Sequence, residues 1–487
     1  MKTFQDWQAA NKTEQSCMSF ILNAIGEHKA SSAYLIAADA DQYYRHLNPT
    51  IMRYEKLIHD VFGQEHIDTF APNHKIPCRY YFYFVNQTVT YLLSNGIRFK
   101  NKKTKDALGG AAFDGVVMDL TTKALNAGVS FGFLNVDHVE VMPFYGGPGE
   151  VSFVPLYDEE NGALTAGIRY WQLGENKPLR CTMFEVDGMT EYEKPKDGNM
   201  YVKSEKRPYK LKIRQSEASG IEIFGGDNWS TLPIVPLWNT NKQSELVGGK
   251  STLDSYDLML SDLVNNVSEG NLIYWVIQNA NGMTEADDQK FVEKLKSIHV
   301  AHADDDQQIN PVTVQAPYQA SEVSLEKLRK QLFEDYLALD VQNIASGAAT
   351  ATQIRAAYEP MNIKASLLET QVTKFIMGLL NLLDIKDEEP KYQPSTVINQ
   401  AEEIQTVLSC AEYLSEEYMV KKLLTILGDI DAVDEVMKQR LKEDAARYKT
   451  EKEDEDEEEP ENADAETVVN TETEAPAEAQ QPEEVAE

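Results

Sequence analysis

Residues 231–282 read TLPIVPLWNTNKQSELVGGKSTLDSYDLMLSDLVNNVSEGNLIYWVIQNANG. An apolar, proline-punctuated strand opens the stretch, a polar Asn-rich loop follows, and a long amphipathic helix is expected from Ser251. Within it Leu253, Tyr256, Leu260, Leu263 and Val267 step by three and four, which lays one apolar seam along the helix. A second helix carries Leu325, Leu328, Leu332, Tyr336 and Leu339 on one face. Between the two, residues 279–322 read as a short αβ insert, helical over 285–298 and broken afterwards by Pro311 and Pro317.

Upstream, residues 1–60 read as helical, from the spacing of Phe20, Ile21, Ala24 and Ile25 and again of Ile51, Tyr54, Leu57, Ile58 and Val61. Residues 76–95 form an apolar, aromatic run closed by Gly96, readable as strand or as buried helix. From 127 to 235 the period changes to two, with Gly, Pro, Asn and Asp at the breaks, which marks a mixed β region. Asp158, Glu159, Glu160, Asn161 and Gly162 make a hairpin-type turn between strands ending at Tyr157 and starting near Leu164.

Downstream, residues 341–353 (VQNIASGAATATQ) carry no charge and only small or polar side chains after Ile344, with Gly347 among them. A helix over 354–390 has Pro360 inside it, and a proline there removes a backbone hydrogen bond and kinks the helix. Residues 391–449 read as short helices, with Ser415 as the N-cap of one.

The chain has 487 residues, enough for two or three domains, and a formal charge of −33. From Glu451 onward one lysine stands against a run of carboxylates with almost no large apolar residues, so 450–487 is expected to be a disordered acidic tail. Four scattered cysteines suit free thiols in a reducing cytoplasm. No signal pattern opens the chain, and no apolar run is long enough to span a membrane. A net-acidic body argues against sequence-specific DNA reading, which draws its affinity from Lys and Arg on phosphates.

Enzyme signatures are thin. Gly249, Lys250 and Ser251 evoke a phosphate loop, but Ser244 stands where that motif needs its first glycine. His299, His302, Asp304, Asp305 and Asp306 are metal-ligand types at close range, yet no second cluster supports them, and a solvated turn accounts for them. Asp39 with Asp41 and Glu159 with Glu160 fit helix starts and turns rather than paired catalytic acids. A metal-dependent hydrolase using the two histidines and the aspartate run is the enzymatic alternative.

The order of these parts resembles the portal proteins of tailed bacteriophages, siphophage type, in which an LP-(I/V)-V strand and a polar Asn cluster feed the first stem helix. Phe84, Val85, Val89, Tyr91, Leu92, Gly96 and Ile97 follow a further stretch of that pattern and favour helix over 76–95. Gly128, Phe133, Val154, Pro155, Tyr157, Asp158, Ala166, Ile168, Arg169, Tyr170 and Trp171 follow another. The resemblance covers roughly residues 40–445. It implies an α+β, mostly helical portal fold, with a wing (1–250), a stem helix (251–278), a clip (279–322) and a second stem helix (323–340). A channel loop (341–353), a long kinked wing helix (354–390) and a crown (391–449) complete it. The channel loop would comprise Ile344, Ala345, Ser346, Gly347, Ala348, Ala349, Thr350 and Ala351. The implied protein is a cyclic homo-oligomer, twelve copies in the virion, passing double-stranded DNA without sequence specificity. Its implied partners are terminase, major capsid and scaffold proteins, and head-completion proteins. The resemblance implies no catalysis, no cofactor, no metal and no membrane, with assembly in the host cytoplasm and a final place at the capsid portal vertex. Another structural head or adaptor protein of a phage particle is the alternative within that class.

Overall fold

A computed structural model describes residues 2–59, 63–69, 71–216, 220–270, 274–278, 290, 308–312, 318–342, 351–395, 400–427, 433 and 435–443. They fall into two units, Met1–Ser395 and Thr396–Glu487. Residues 344–350 of the expected channel loop, most of the expected clip interior with His299, His302 and the three aspartates, and the acidic tail lie outside the described residues.

The first unit opens with helices α1 (Phe4–Ala10), α2 (Glu14–Ala30), α3 (Ser32–Tyr44) and α4 (Pro49–Met52). Thr3 and Thr13 close capping boxes on the first two, and Ser31 caps the third, so local hydrogen bonds set each start. The helical reading fails after Met52. Residues Leu57–His59 are strand β1, paired antiparallel with β2 (Glu65–Ile67). Short apolar runs are ambiguous in period, and here the antiparallel pairing of 57–59 with 65–67 decides the matter.

Helices α5 (Tyr80–Leu93), α6 (Lys102–Asp106) and α7 (Ala112–Ala127) follow. The run 76–95 is therefore helix, as the resemblance favoured. At Gly128 the chain turns from α7 into β3 (Val129–Asn135) with φ +87, and a Cβ there would meet the Gln243 backbone at 2.9 Å. β3 is the centre of a three-stranded sheet, with β4 (His138–Pro143) on one side. On the other side lies β12 (Ile234–Trp238), the strand that heads the quoted stretch, with Ile234 opposite Phe133.

Between them runs an antiparallel meander of β5 (Ser152–Tyr157), β6 (Leu164–Trp171), β7 (Leu179–Glu185), β8 (Gly188–Lys194) and β9 (Tyr201–Arg207). The hairpin turn at 158–162 is present, with Asp158 N–H donating to the Ala163 carbonyl at 2.8 Å. A separate hairpin, β10 (Lys210–Ser216) with β11 (Gly220–Asp227), precedes β12. The five-stranded sheet buries side chains on both faces, except along its edge strand β9, which is largely exposed. Val154, Leu156, Ile168, Met183 and Tyr192 share a core with α1 and α2, whereas Phe153 and Phe184 face the other core, where they meet Phe131 and Phe133 at ring distances of 4.7 and 5.1 Å.

The rest of the unit is α8 (Leu246–Gly270), the antiparallel strand pair β13 (Tyr274–Gln278) and β14 (Gln308–Val312), α9 (Tyr318–Asp335) and α10 (Ala351–Leu382). The expected stem helix to 278 is thus shorter and set earlier: it starts at Leu246, stops at Gly270, and yields to a strand rich in β-branched and aromatic residues. The second unit contains α11 (Gln400–Ser409), a single 3₁₀ turn (Ala411–Tyr413) and α12 (Glu416–Leu427). Ser415 caps α12, its Oγ accepting from Tyr418 N–H at 3.4 Å.

One buried group makes the first unit sensitive to acid. His28 is fully buried at the end of α2, edge-on to Phe144 at 4.5 Å, with Nδ1 3.3 Å from the Tyr170 hydroxyl. Burial, aided by Lys29 next door, pushes its imidazole down to about 3. The folded chain holds His28 neutral while the unfolded chain protonates it near 6.5, so this stability is present above 6.5 and is lost as pH falls toward 3. Between pH 6.5 and 5 the expected loss is about 2 kcal/mol. Denaturation midpoints across that range should fall more steeply for the natural chain than for His28→Phe, and equal slopes would refute the assignment.

Candidate channel wall

α8 carries three distinct faces. The first is the apolar seam. Leu253 is fully buried, Tyr256, Leu260 and Leu263 are half-buried, and Val267 is 49% exposed. This seam meets α9, where Leu332 is buried and Leu325 and Leu328 are half-buried, and buried Tyr336 follows directly after the helix. An aromatic group from α5 locks the junction: Tyr80 lies edge-on to Tyr256 at 5.3 Å, and Phe84 stacks on Tyr336 at 4.6 Å. Both seams are thus packing surfaces within the chain, and their burial fades toward the end of α8.

The second face is polar and buried. Asp257, Ser261 and Asn265, four residues apart, are each at most 2% exposed. Their oxygens accept from the backbone N–H groups of Cys78, Ile76 and His74 at 2.7, 3.0 and 2.7 Å. The match is geometric. Four helical residues rise about 6 Å, and two extended residues span about 6.6 Å. A helix can therefore satisfy alternate N–H groups of an extended strap much as a neighbouring strand would. Asp257 also accepts from the Asn48 amide, and burial raises its carboxyl above the usual range despite these donors. The spacing of Asp257, Ser261 and Asn265 was visible in the sequence, but only the strap shows what it serves.

The third face is left open. Ser251 and Ser255 are exposed, with half-buried Asp262 and Asn266 on the same side. Residues 251–270 contain no Lys or Arg. The nearest lysine, Lys250, is engaged: its Nζ lies 3.2 Å from Asp254 and over the Tyr43 ring.

Lys250 follows Gly249, the glycine of the phosphate-loop lookalike, and both lie inside α8. A Cβ at Gly249 would sit 2.3 Å from the Tyr336 ring, so this glycine serves close contact between α8 and α9. Tyr336 is buried and stacked, so its ring has nowhere to retreat. Gly249→Ala is expected to cost about 1–3 kcal/mol through overpacking, despite the roughly 1 kcal/mol that alanine gains in a helix. Thermal unfolding checks this, and a stabilised variant would contradict the contact.

Beyond α9 the chain is pinned before it reaches the expected channel loop. Lys364 on α10 donates to the Tyr336 carbonyl at 3.0 Å and pairs with Glu245 at 3.0 Å, placing a cation at the carbonyl end of α9. Leu337 turns left-handed at φ +49. The Gln87 amide then holds Leu339 on both sides, accepting its N–H and donating to its carbonyl, each at 3.0 Å. Arg329 pairs with Asp340 at 2.7 Å. None of these anchors was read from the sequence. On the far side Ala351, expected in the loop, is the first residue of α10, and α10 continues through Pro360.

Among the described residues no group of three or more His, Cys, Asp or Glu is placed to hold a metal ion. None of the described helices is long and apolar enough to cross a membrane. Cys17, Cys78 and Cys181 are buried and Cys410 is exposed, all as free thiols.

A model of the family "Phage portal protein, SPP1 Gp6-like" matches residues 34–458. The chain belongs to that family. The portal protein of Bacillus phage SPP1 is 22% identical over 338 residues, which are 66% of this chain and 64% of that one. The portal protein of Clostridium phage phiCD119 is 25% identical over 188 residues, 36% and 41% of the two chains. The matches thus span less than two thirds of the length of these portal proteins. Among solved structures, a chain of the virion of the native gene transfer agent particle aligns at a TM-score of 0.39, with 10% identity, covering 71% of this chain and 88% of that one. An HK97 family phage portal protein from Corynebacterium diphtheriae aligns at 0.30, with 11% identity, covering 64% and 92%. At these TM-scores the portal structures fix no correspondence of parts.

Proposed function

We propose that this chain is one subunit of a cyclic homo-oligomer, twelve copies in the virion, at one vertex of a phage capsid. The ring is the channel through which double-stranded DNA is packaged and later ejected. α8 and α9 are its stem, residues 279–317 its clip, and 341–350, with Ile344, Ala345, Ser346, Gly347, Ala348, Ala349 and Thr350, its channel loop, which ends where α10 begins at Ala351. α10 is the long wing helix, kinked at Pro360, and 391–449 form the crown. Terminase docks at the clip during packaging and head-completion proteins replace it, while major capsid and scaffold proteins meet the outside. The work is structural rather than catalytic. The subunit assembles in the host cytoplasm and ends in the virion.

Family membership carries this reading, and the open face of α8 gives it a physical basis. DNA must slide, and each phosphate neutralised by Lys or Arg adds affinity through counterion release. A wall with Ser251, Ser255, Asp262 and Asn266 and no free cation between 251 and 270 offers no such grip. The same helix is tied to the body by an apolar and a hydrogen-bonded face, which suits a wall that bears load. Negative-stain microscopy of the purified chain should show turbine-shaped rings with a central hole. A compact monomer at every concentration would overturn the proposal.

A further inference from the structure

The first turn of α5 and the C-terminal half of α9 flank a cleft of about 430 Å³, with Asp340, Val341 and Gln342 along its third side. That is the size of a small-ligand site. Its walls are aromatic. Phe82 and Phe333 are only half-buried and Tyr83 is 38% exposed, so ring surface here stays in contact with solvent instead of joining the core. Rings left open in this way favour a flat apolar body that packs offset or edge-on among them.

Charge in the cleft is one-sided. Arg329 is spent on Asp340, 2.7 Å away. Arg79 lies over the Phe82 ring at 4.2 Å, and its guanidinium has no hydrogen bond or ion pair among the described residues. Two guanidinium groups against one carboxylate leave a single uncompensated positive charge in the lining. α5 adds to it. Its N-cap is Arg79, whose side chain caps nothing, and its first turn holds no acidic residue, so the positive end of the helix has no counter-charge of its own. One positive charge beside aromatic walls suits one negative charge on a ring. A peptide is the poorer match. The Gln342 N–H already donates to Asp340 at 3.2 Å, and the Tyr83 hydroxyl donates to the Leu339 carbonyl at 3.4 Å. The lining therefore offers few groups to a main chain, whose amides would be covered without partners.

We propose that this cleft binds a small aromatic carboxylate, its ring among Phe82, Tyr83 and Phe333 and its carboxylate on Arg79. The test titrates the full chain with 2-naphthoate, followed by ligand fluorescence, and with 2-naphthylmethanol as the neutral counterpart. Saturable binding of one naphthoate per chain is expected, at least about tenfold tighter than the alcohol. Arg79 is exposed and makes no bond that the fold needs, so Arg79→Gln should keep the thermal midpoint and still bind the alcohol, but lose the preference for the acid. Phe82→Leu should weaken both ligands alike. Amide hydrogen exchange places the site: naphthoate should slow exchange at residues 340–342 in the natural chain and not in Arg79→Gln. Absence of saturation up to about 1 mM naphthoate would overturn the proposal. Equal affinity of the natural chain and Arg79→Gln for naphthoate would do the same. The acetylated dipeptide amide Glu-Phe, with one carboxylate and one ring on a main chain, should bind more weakly than naphthoate, and tighter binding would hand the cleft to a peptide instead.

Discussion

Asp257→Ala is expected to destabilise the first unit by about 3 kcal/mol, the largest loss on the polar face of α8. Two donors lose their acceptor: the Cys78 N–H at 2.7 Å and the Asn48 amide. Both belong to buried residues, so water does not replace the carboxylate. Each stranded donor costs about 1–3 kcal/mol, and the relief of desolvating one carboxylate offsets part of that. Asp257→Asn keeps the shape and one acceptor but brings an amide donor toward the Asn48 amide, so a loss of about 1–2 kcal/mol is expected. The neighbouring positions should cost less in order. Ile76 is half-buried and His74 exposed, so their N–H groups recover solvent when Ser261 or Asn265 becomes alanine. Denaturant unfolding of the three alanine variants tests the gradient. A loss below about 1 kcal/mol at 257, or a larger loss at 265 than at 257, would refute the ladder.

Much of the fold was legible because its local signals agree with its tertiary use. The period-2 stretch from 127 to 235 became strands of three sheets, and α8, with its apolar seam, packs on α9. The misses share a cause: a local signal that another part of the chain overrides or completes. The helix was expected from Ser251, yet it starts at Leu246 and runs through Gly249, where the Tyr336 ring occupies the space a side chain would need. Ser244 supplied the overlooked start, its Oγ accepting from Leu246 N–H at 3.2 Å. Tyr274, Trp275, Val276 and Ile277 carry strand propensity but were absorbed into the preceding helix, because their partner strand lies beyond residue 307. Leu57 and Ile58 fit the helical spacing from Ile51, and only the pairing with 65–67 tells them apart. Of the site, the seam was readable from period alone. The polar ladder, the Gln87 clamp on Leu339 and the Lys364 cap each join residues more than 25 positions apart, and no local pattern announces such a pairing.

Ser255→Lys should turn a sliding surface into a gripping one. Ser255 is exposed on the open face of α8, and its hydroxyl only bonds back to the Ser251 carbonyl at 2.8 Å, so the change costs the fold little. In a ring every copy adds one cation at the same level of the bore, where α8 otherwise offers none. Four of them meeting phosphates at once would steepen the salt dependence of DNA affinity by roughly 3.6 in log–log slope. That is on the order of a hundredfold between 50 and 200 mM salt. Packaging in a terminase-driven assay should therefore slow by at least about tenfold at low salt and recover as salt rises. Ser255→Gln adds comparable bulk without charge and should package at close to the natural rate at both salt concentrations. The comparison separates obstruction from adhesion. If the lysine and glutamine variants package alike at low salt while both form rings, the open face of α8 does not line the path of the DNA.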